Sequence, residues 1–159
     1  RQPVLDALRA FRGLPHRMES VGEANGVLFV NDSKATSVAA TEVALAGLGR
    51  PVVLIAGGDA KGQSFAPLRG AVDASCRAVL LIGRDAPDVA RGLAGATPPV
   101  ETVGTLDAAV ARALAVARAG DVVLLSPACA SLDQFANYEA RGERFRALVR
   151  ERAGGALRA

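Results

Sequence analysis

Aromatic residues are scarce in this chain, which has no tryptophan, one tyrosine and five phenylalanines among 159 residues. A core must therefore be built from Ala, Val and Leu, which suits small helices packed closely on a sheet. No run of about 18 apolar residues occurs, so no membrane span or membrane partner is expected. No charged segment followed by an apolar one opens the chain, so no secretory signal is predicted. These absences favour a cytoplasmic protein.

Cysteine is also scarce. Cys76 and Cys129 lie far apart and match no metal-ligand spacing. We interpret both as small buried residues rather than as a disulfide, and we predict no metal site. The chain opens on Arg1 rather than Met, so we expect it to be part of a longer chain.

The net charge of +3 and a pI near 9.4 favour anionic ligands. The basic residues are nevertheless spread along the chain, without a concentrated basic face carrying stacking aromatics, so nucleic acid is not an expected partner. Of 19 basic residues only Lys34 and Lys61 are lysines. Lysine supplies a compact ammonium charge where arginine supplies a planar fork, so these two positions are of special interest.

Apolar runs alternate with helical patterns along most of the chain. Strands are predicted over 27–31, 52–56, 78–82, 100–103 and 122–126. Helices are predicted over 37–48, 65–74, 106–118 and 134–152, and one more helix follows strand 78–82 and ends at about residue 94. Residues 17–23 alternate loosely before Asn25-Gly26, a strong hairpin signal. We divide the chain into a linker helix within 1–13, a domain over 14–153 and a frayed tail over 154–159.

Continuous apolar strands that alternate with helices indicate a parallel sheet covered on both faces. The predicted fold is therefore α/β, a Rossmann-like, open and mostly parallel sheet with helices on both faces and an antiparallel hairpin at one edge.

Ligands of such sheets bind beyond the carboxyl ends of the strands, where the strand order reverses. Loops 31–36, 57–62 and 126–134 are polar or glycine-rich and follow strands, and the first two contain the lysines. With hydroxyls from Thr36, Ser126 and Ser131 and with helix N-termini nearby, the pattern predicts a site for a carboxylate or phosphate.

Other interpretations of the same residues stay open. Asp32, Ser33, Thr36 and Ser37 are residues that commonly cap a helix. The segment GGDAKGQS is not a phosphate-binding loop, because its lysine is followed by glycine. His16 is by default a structural residue, and no G-x-G-x-x-G supports a redox Rossmann enzyme.

Four segments nevertheless occur together, namely GLPHR (13–17), NDSKAT (31–36), GGDAKG (57–62) and SPACASLDQF (126–135), the last followed by Asn137, Tyr138, Arg141 and Gly142. In order and spacing they resemble the C-terminal domain of the Mur ligases, specifically the branch that adds D-glutamate. The resemblance covers nearly all of residues 13–152.

The resemblance implies a three-domain cytoplasmic enzyme of peptidoglycan synthesis, whose partners are ATP, D-glutamate, UDP-N-acetylmuramoyl-L-alanine and its own remaining domains. ATP would phosphorylate a substrate carboxylate, and the amine of D-glutamate would attack the acyl phosphate. ATP and Mg²⁺ would be held mainly by the central domain, so this domain alone should be inactive.

Roles for particular residues also follow from the resemblance. Thr36 and Lys61 would hold one carboxylate of D-glutamate, and Ser131 with backbone N–H groups near Leu132 and Tyr138 would hold the other. Arg17, Asp32 and Lys34 would face the nucleotide, and Lys34 is the one candidate for a catalytic role. The remaining residues would position these groups: His16, Asn31, Asp59, Asp133 and Gln134.

The chain departs from the family pattern at Ser37, where we expect Asn, at Ala60, where we expect Gly, and at Tyr138, where Phe is commoner. A positive φ at Ala60 would strain that loop. The alternatives are a sibling amide ligase or folylpolyglutamate synthase with another acceptor, and a stand-alone binding module without catalysis.

Overall fold

A computed structural model describes residues 14–159. The linker helix predicted within 1–13 lies outside the described residues.

Six strands form one sheet in the order β1-β2-β6-β3-β4-β5. Their bounds are β1 (Glu19–Ala24), β2 (Val27–Asn31), β3 (Val52–Gly57), β4 (Cys76–Ile82), β5 (Val100–Gly104) and β6 (Val122–Leu125). Neighbouring strands are parallel except for β1 and β2, which are antiparallel. The predicted α/β architecture is confirmed.

Helices cover both faces of the sheet. They are α1 (Val38–Leu48), α2 (Leu68–Ser75), α3 (Ala86–Gly92), α4 (Leu106–Val116) and α5 (Tyr138–Ala153), followed by a 3-10 turn at Gly154–Ala156. Alternate residues of the strands point to opposite faces, so Val52 and Leu54 pack with α1–α3 while Val53 and Ile55 pack with α4 and α5. Within residues 14–159, no helix has the length and apolar character needed to cross a membrane.

The hairpin predicted at Asn25-Gly26 is present. Asn25 has φ 53° and Gly26 has φ 77°, so both central residues are left-handed. A two-residue turn of this kind follows the twist of the flanking strands, and Asn-Gly is the pair that adopts it most readily.

Helix α5 begins four residues later than the predicted start at 134. The Oδ1 atom of Asn137 accepts the N–H of Ala140 at 2.7 Å, which caps the helix. Before it, the N–H groups of Gln134 and Phe135 both bond to Ser131 O, forming a turn. Helix α2 likewise begins at Leu68 rather than at 65. It follows a turn in which Leu68 N bonds to Phe65 O at 3.0 Å.

The tail expected to fray is held against the hairpin. Glu23 and Arg158 exchange two backbone hydrogen bonds of 2.8 Å, and Leu157 packs on the core. Gly22 permits this contact, because a Cβ there would lie 2.7 Å from Arg158 O.

Candidate functional site

The carboxyl ends of three neighbouring strands form one edge of the sheet. Strand β6 enters between β2 and β3, so the loops that follow these strands meet where the strand order reverses. We call them the β2 loop (32–37), the β3 loop (58–67) and the β6 loop (126–137). They contain most of the residues that the sequence selected.

Backbone hydrogen bonds join the three loops. In the β6 loop, Ala128 N donates to Ala35 O at 3.0 Å, and Ala130 exchanges bonds of 2.9 and 3.0 Å with Asp59. Gly58 allows the second contact, since a Cβ there would collide with Ala130 O. The β6 loop is therefore fixed to both of its neighbours.

Gln63, which the sequence did not single out, connects the β3 loop to the first residue of α1 and to the β6 loop. Its Oε1 atom accepts the N–H of Val38 at 3.2 Å, and its Nε2 atom donates to Ala128 O at 2.6 Å. No sequence signal marked this residue, because both of its contacts are made across the sheet edge.

Asp32 is a buried carboxylate at the start of the β2 loop, with 5% of its surface exposed. It accepts hydrogen bonds from Met18 N at 3.1 Å and Ser126 Oγ at 2.8 Å. Burial raises the pKa of Asp32, against the lowering effects of these bonds and of the Arg17 charge. Helix α1 is capped instead by Ser37, whose side chain accepts from Ala40 N.

The cations Arg17, Lys34 and Lys61 are exposed and lie at or beside these loops. Within residues 14–159, none of them forms an ion pair with a carboxylate. Several other arginines are paired, as Arg112 is with Glu101 at 2.8 Å, although Arg118 and Arg150 also form no ion pair within residues 14–159. The site therefore carries positive charge available to an anion.

The backbone on either side of Arg17 is left-handed, with φ 62° at His16 and 44° at Met18. His16 is buried, its Nδ1 atom lies 3.0 Å from Asn31 Nδ2, and its carbonyl accepts from Lys34 N at 3.0 Å. His16 and Asn31 thus hold the segment that carries Arg17 against the β2 loop.

Lys61 lies in the β3 loop, and its own backbone is left-handed, with φ 48°. The strain anticipated at Ala60 falls instead on Lys61. Asp59 Oδ1 accepts the Lys61 N–H at 3.1 Å and stabilises this turn.

The β6 loop combines buried and exposed groups. Ser131 is 3% exposed and Leu132 is 60% exposed. Asp133 Oδ2 accepts Arg84 N at 2.8 Å, and Gln134 Nε2 donates to Gly104 O at 2.9 Å. Both side chains hold the loop against neighbouring segments. Tyr138 begins helix α5, and the ammonium of Lys34 lies 5.8 Å from the centre of its ring.

Arg141 is fully buried beneath the β2 and β6 loops. Its guanidinium donates to Ser33 O at 2.8 Å, Ser33 Oγ at 3.0 Å and Cys129 O at 3.0 Å. Burial lowers the pKa of Arg141 to about 10. Burial also raises the pKa of the Cys129 thiol to about 12, so this cysteine behaves as a packing residue.

Magnesium is the metal that the resemblance implies. Among residues 14–159, no three His, Cys, Asp or Glu side chains lie close enough together to hold a metal.

Fold and site together define an α/β domain that carries exposed cations at the carboxyl ends of its central strands. The family model described as "Mur ligase, glutamate ligase domain" matches residues 16–129. The chain belongs to the Mur ligase family of ATP-dependent ligases and comprises its C-terminal domain.

A curated relative, the UDP-N-acetylmuramoylalanine--D-glutamate ligase of Aromatoleum aromaticum, is 57% identical over 150 residues, covering 94% of this chain and 32% of the relative. The chain spans about a third of the length of the curated relatives it matches.

Solved structures share the fold at low sequence identity. The UDP-N-acetylmuramate-alanine ligase of Thermotoga maritima matches with a TM-score of 0.65 and 15% identity, over 94% of this chain and 33% of that one. The folylpolyglutamate synthase/dihydrofolate synthase of Yersinia pestis, complexed with AMPPNP and a manganese ion, matches with a TM-score of 0.60 and 18% identity, over 86% of this chain and 32% of that one.

Proposed function

We propose that this chain is the D-glutamate-binding domain of an ADP-forming ligase that joins D-glutamate to UDP-N-acetylmuramoyl-L-alanine. The observation that carries the proposal is the placement of Arg17, Lys34 and Lys61 at the edge where the β2, β3 and β6 loops meet, where they form no ion pair with any carboxylate of residues 14–159. The 57% identity to a relative named as a D-glutamate ligase supports D-glutamate as the substrate.

D-glutamate needs two anion sites, one for each carboxylate. Lys61 with Thr36 supplies one, because an exposed ammonium and a hydroxyl suit a carboxylate. Ser131 supplies the other together with backbone N–H groups of Leu132 and of Tyr138, the first residue of α5, where amides have no partner within the helix.

The nucleotide would lie on the side of Arg17, Asp32 and Lys34. Asp32 would accept from ribose hydroxyls, and the two cations would meet phosphate oxygens. These residues line a cavity of about 630 Å³ floored by α1. Bound magnesium would neutralise the phosphate charge and would take its ligands from outside residues 14–159.

In the reaction, the substrate carboxylate takes the γ-phosphoryl group of ATP, and ADP leaves. The amine of D-glutamate then attacks the acyl carbon, phosphate departs, the amine loses a proton and an amide remains. This domain would orient the amine and exclude water from the acyl phosphate. Use of ATP would place the reaction in the cytoplasm.

The test is a ligation assay on the longer protein that contains this chain, with D-glutamate, L-glutamate and L-alanine as acceptors. We expect ADP release only with D-glutamate, and for Lys61→Ala a rise in the KM for D-glutamate of at least about tenfold, since a charged contact is lost. Arg91→Ala, on the surface of α3 and paired with Asp88, is the matched control. Preference for another acceptor would identify a sibling ligase, and no ligation with any acceptor would favour a binding module.

A further inference from the structure

The segment after β4 contacts the β3 loop next to Lys61. We call residues 83–85 the β4 loop. Asp85 Oδ2 accepts Ala60 N at 2.8 Å, and Asp85 N donates to Gly58 O at 3.0 Å. Because Lys61 is left-handed, which costs about 1 kcal/mol in a residue with a side chain, its orientation depends on such neighbouring bonds.

The same β4 loop also contacts the β6 loop. Arg84 N donates to Asp133 Oδ2 at 2.8 Å, two residues after Ser131. At Gly83 a Cβ would lie 2.5 Å from Asp133 Oδ2 and 2.6 Å from Gly58 Cα. Only glycine permits this approach, which brings the β3, β4 and β6 loops into contact at one point.

Charge is balanced at that point by the Arg84 guanidinium. Its Nη2 atom lies 3.0 Å from Asp59 Oδ1 and 3.2 Å from Asp85 Oδ2. Without this cation, the carboxylates of Asp59, Asp85 and Asp133 would stand uncompensated beside a site for a dicarboxylate. Hydrogen bonds from Arg84 and from Ala60 N lower the pKa of Asp85, so its carboxylate stays ionised.

We propose that Arg84 and Asp85 are positioning residues that hold the β3 loop, with Lys61, and the β6 loop, with Ser131, at a fixed separation. They thereby select the length of the acidic amino acid that binds between these two loops. This inference rests on the proposed function. A rigid spacing between the two carboxylate-binding loops fits D-glutamate. If that spacing is loosened, the shorter D-aspartate is accepted almost as well as D-glutamate.

Kinetics of the longer protein test the inference through Asp85→Ala, which removes the acceptor, and Asp85→Asn, which keeps an oxygen in its place. Asp88→Ala is the control, because Asp88 lies on the surface of the adjoining helix α3 and pairs only with Arg91 among residues 14–159. For Asp85→Ala we expect the KM for D-glutamate to rise at least about tenfold. We also expect the KM for ATP to stay within about twofold and the preference for D-glutamate over D-aspartate to fall. For Asp85→Asn, the KM for D-glutamate should stay close to the wild-type value.

Amide NMR spectra of this chain give a second readout that needs no ligand. Asp85→Ala should shift the signals of Lys61, Ser131 and Asp133, and Asp88→Ala should leave them in place. Unmoved signals in Asp85→Ala, or a KM for D-glutamate equal to that of Asp88→Ala, would overturn the inference. So would equal losses for D-glutamate and ATP. A wild-type protein that ligates no D-glutamate would instead refute the proposed function, and the amide shifts would still decide the positioning role.

Discussion

At the scale of single residues, the sequence could predict which cations lie at the sheet edge. It could not predict the contacts that residues make across that edge. The two lysines stood out from the arginine-rich composition, and they do lie in loops at that edge. The sequence could not show that Arg141 would be buried, because its charge is accommodated by carbonyls of Ser33 and Cys129 from two distant segments.

Replacing Arg141 with Met should destabilise the chain by about 3 kcal/mol, because the carbonyls of Ser33 and Cys129 would be left buried without donors. Urea unfolding measures the change. Arg150→Met, on the exposed face of the same helix, should change the free energy of unfolding by less than about 0.5 kcal/mol. Similar values for the two variants would show that the buried bonds contribute little.

At the scale of elements, turn chemistry was easier to predict than helix starts. Asn25-Gly26 forms the expected hairpin because its preference is set by two adjacent residues. The start of α5 was misplaced, because Ser131 O accepts two local N–H groups and draws residues 131–135 into a turn before Asn137 caps the helix. Helical pattern alone does not reveal such competing bonds.

Two glycine-to-alanine substitutions should change stability in opposite directions. At Gly26, φ is 77° and a Cβ would lie 3.0 Å from Ala119 Cβ, so Gly26→Ala should cost about 1–2 kcal/mol. Gly70 lies inside α2 with nothing within 4 Å of a Cβ, so Gly70→Ala should add about 0.5–1 kcal/mol. Thermal unfolding of both variants under one buffer condition is the measurement, and a gain at Gly26 would contradict the turn geometry.

At the scale of the whole molecule, the insertion of β6 between β2 and β3 brings the site together. Helix α5 then covers one face of the sheet with Phe145, Leu148 and Val149, which are almost completely buried. The stability of the site therefore depends on the last third of the chain.

Truncation after Asn137 should abolish cooperative unfolding, because removing α5 exposes the core that it covers. Truncation after Ala153 should leave a folded chain that is less stable by about 1–2 kcal/mol, since the Glu23–Arg158 bonds and the packing of Leu157 are lost. Circular dichroism recorded during heating shows whether each truncated chain unfolds cooperatively and at what temperature. A cooperative transition in the shorter chain would show that the sheet is stable without α5.

The alternation of strands and helices, the hairpin and the family could be predicted from the sequence alone, because they depend on periodic apolar positions, on adjacent turn residues and on short motifs. The tertiary structure decided which loops touch. Four residues, Gln63, Arg84, Asp85 and Arg141, owe their places to bonds between segments far apart in the chain. Such bonds exist only once the strands are paired in one sheet and the loops that follow them are packed against one another.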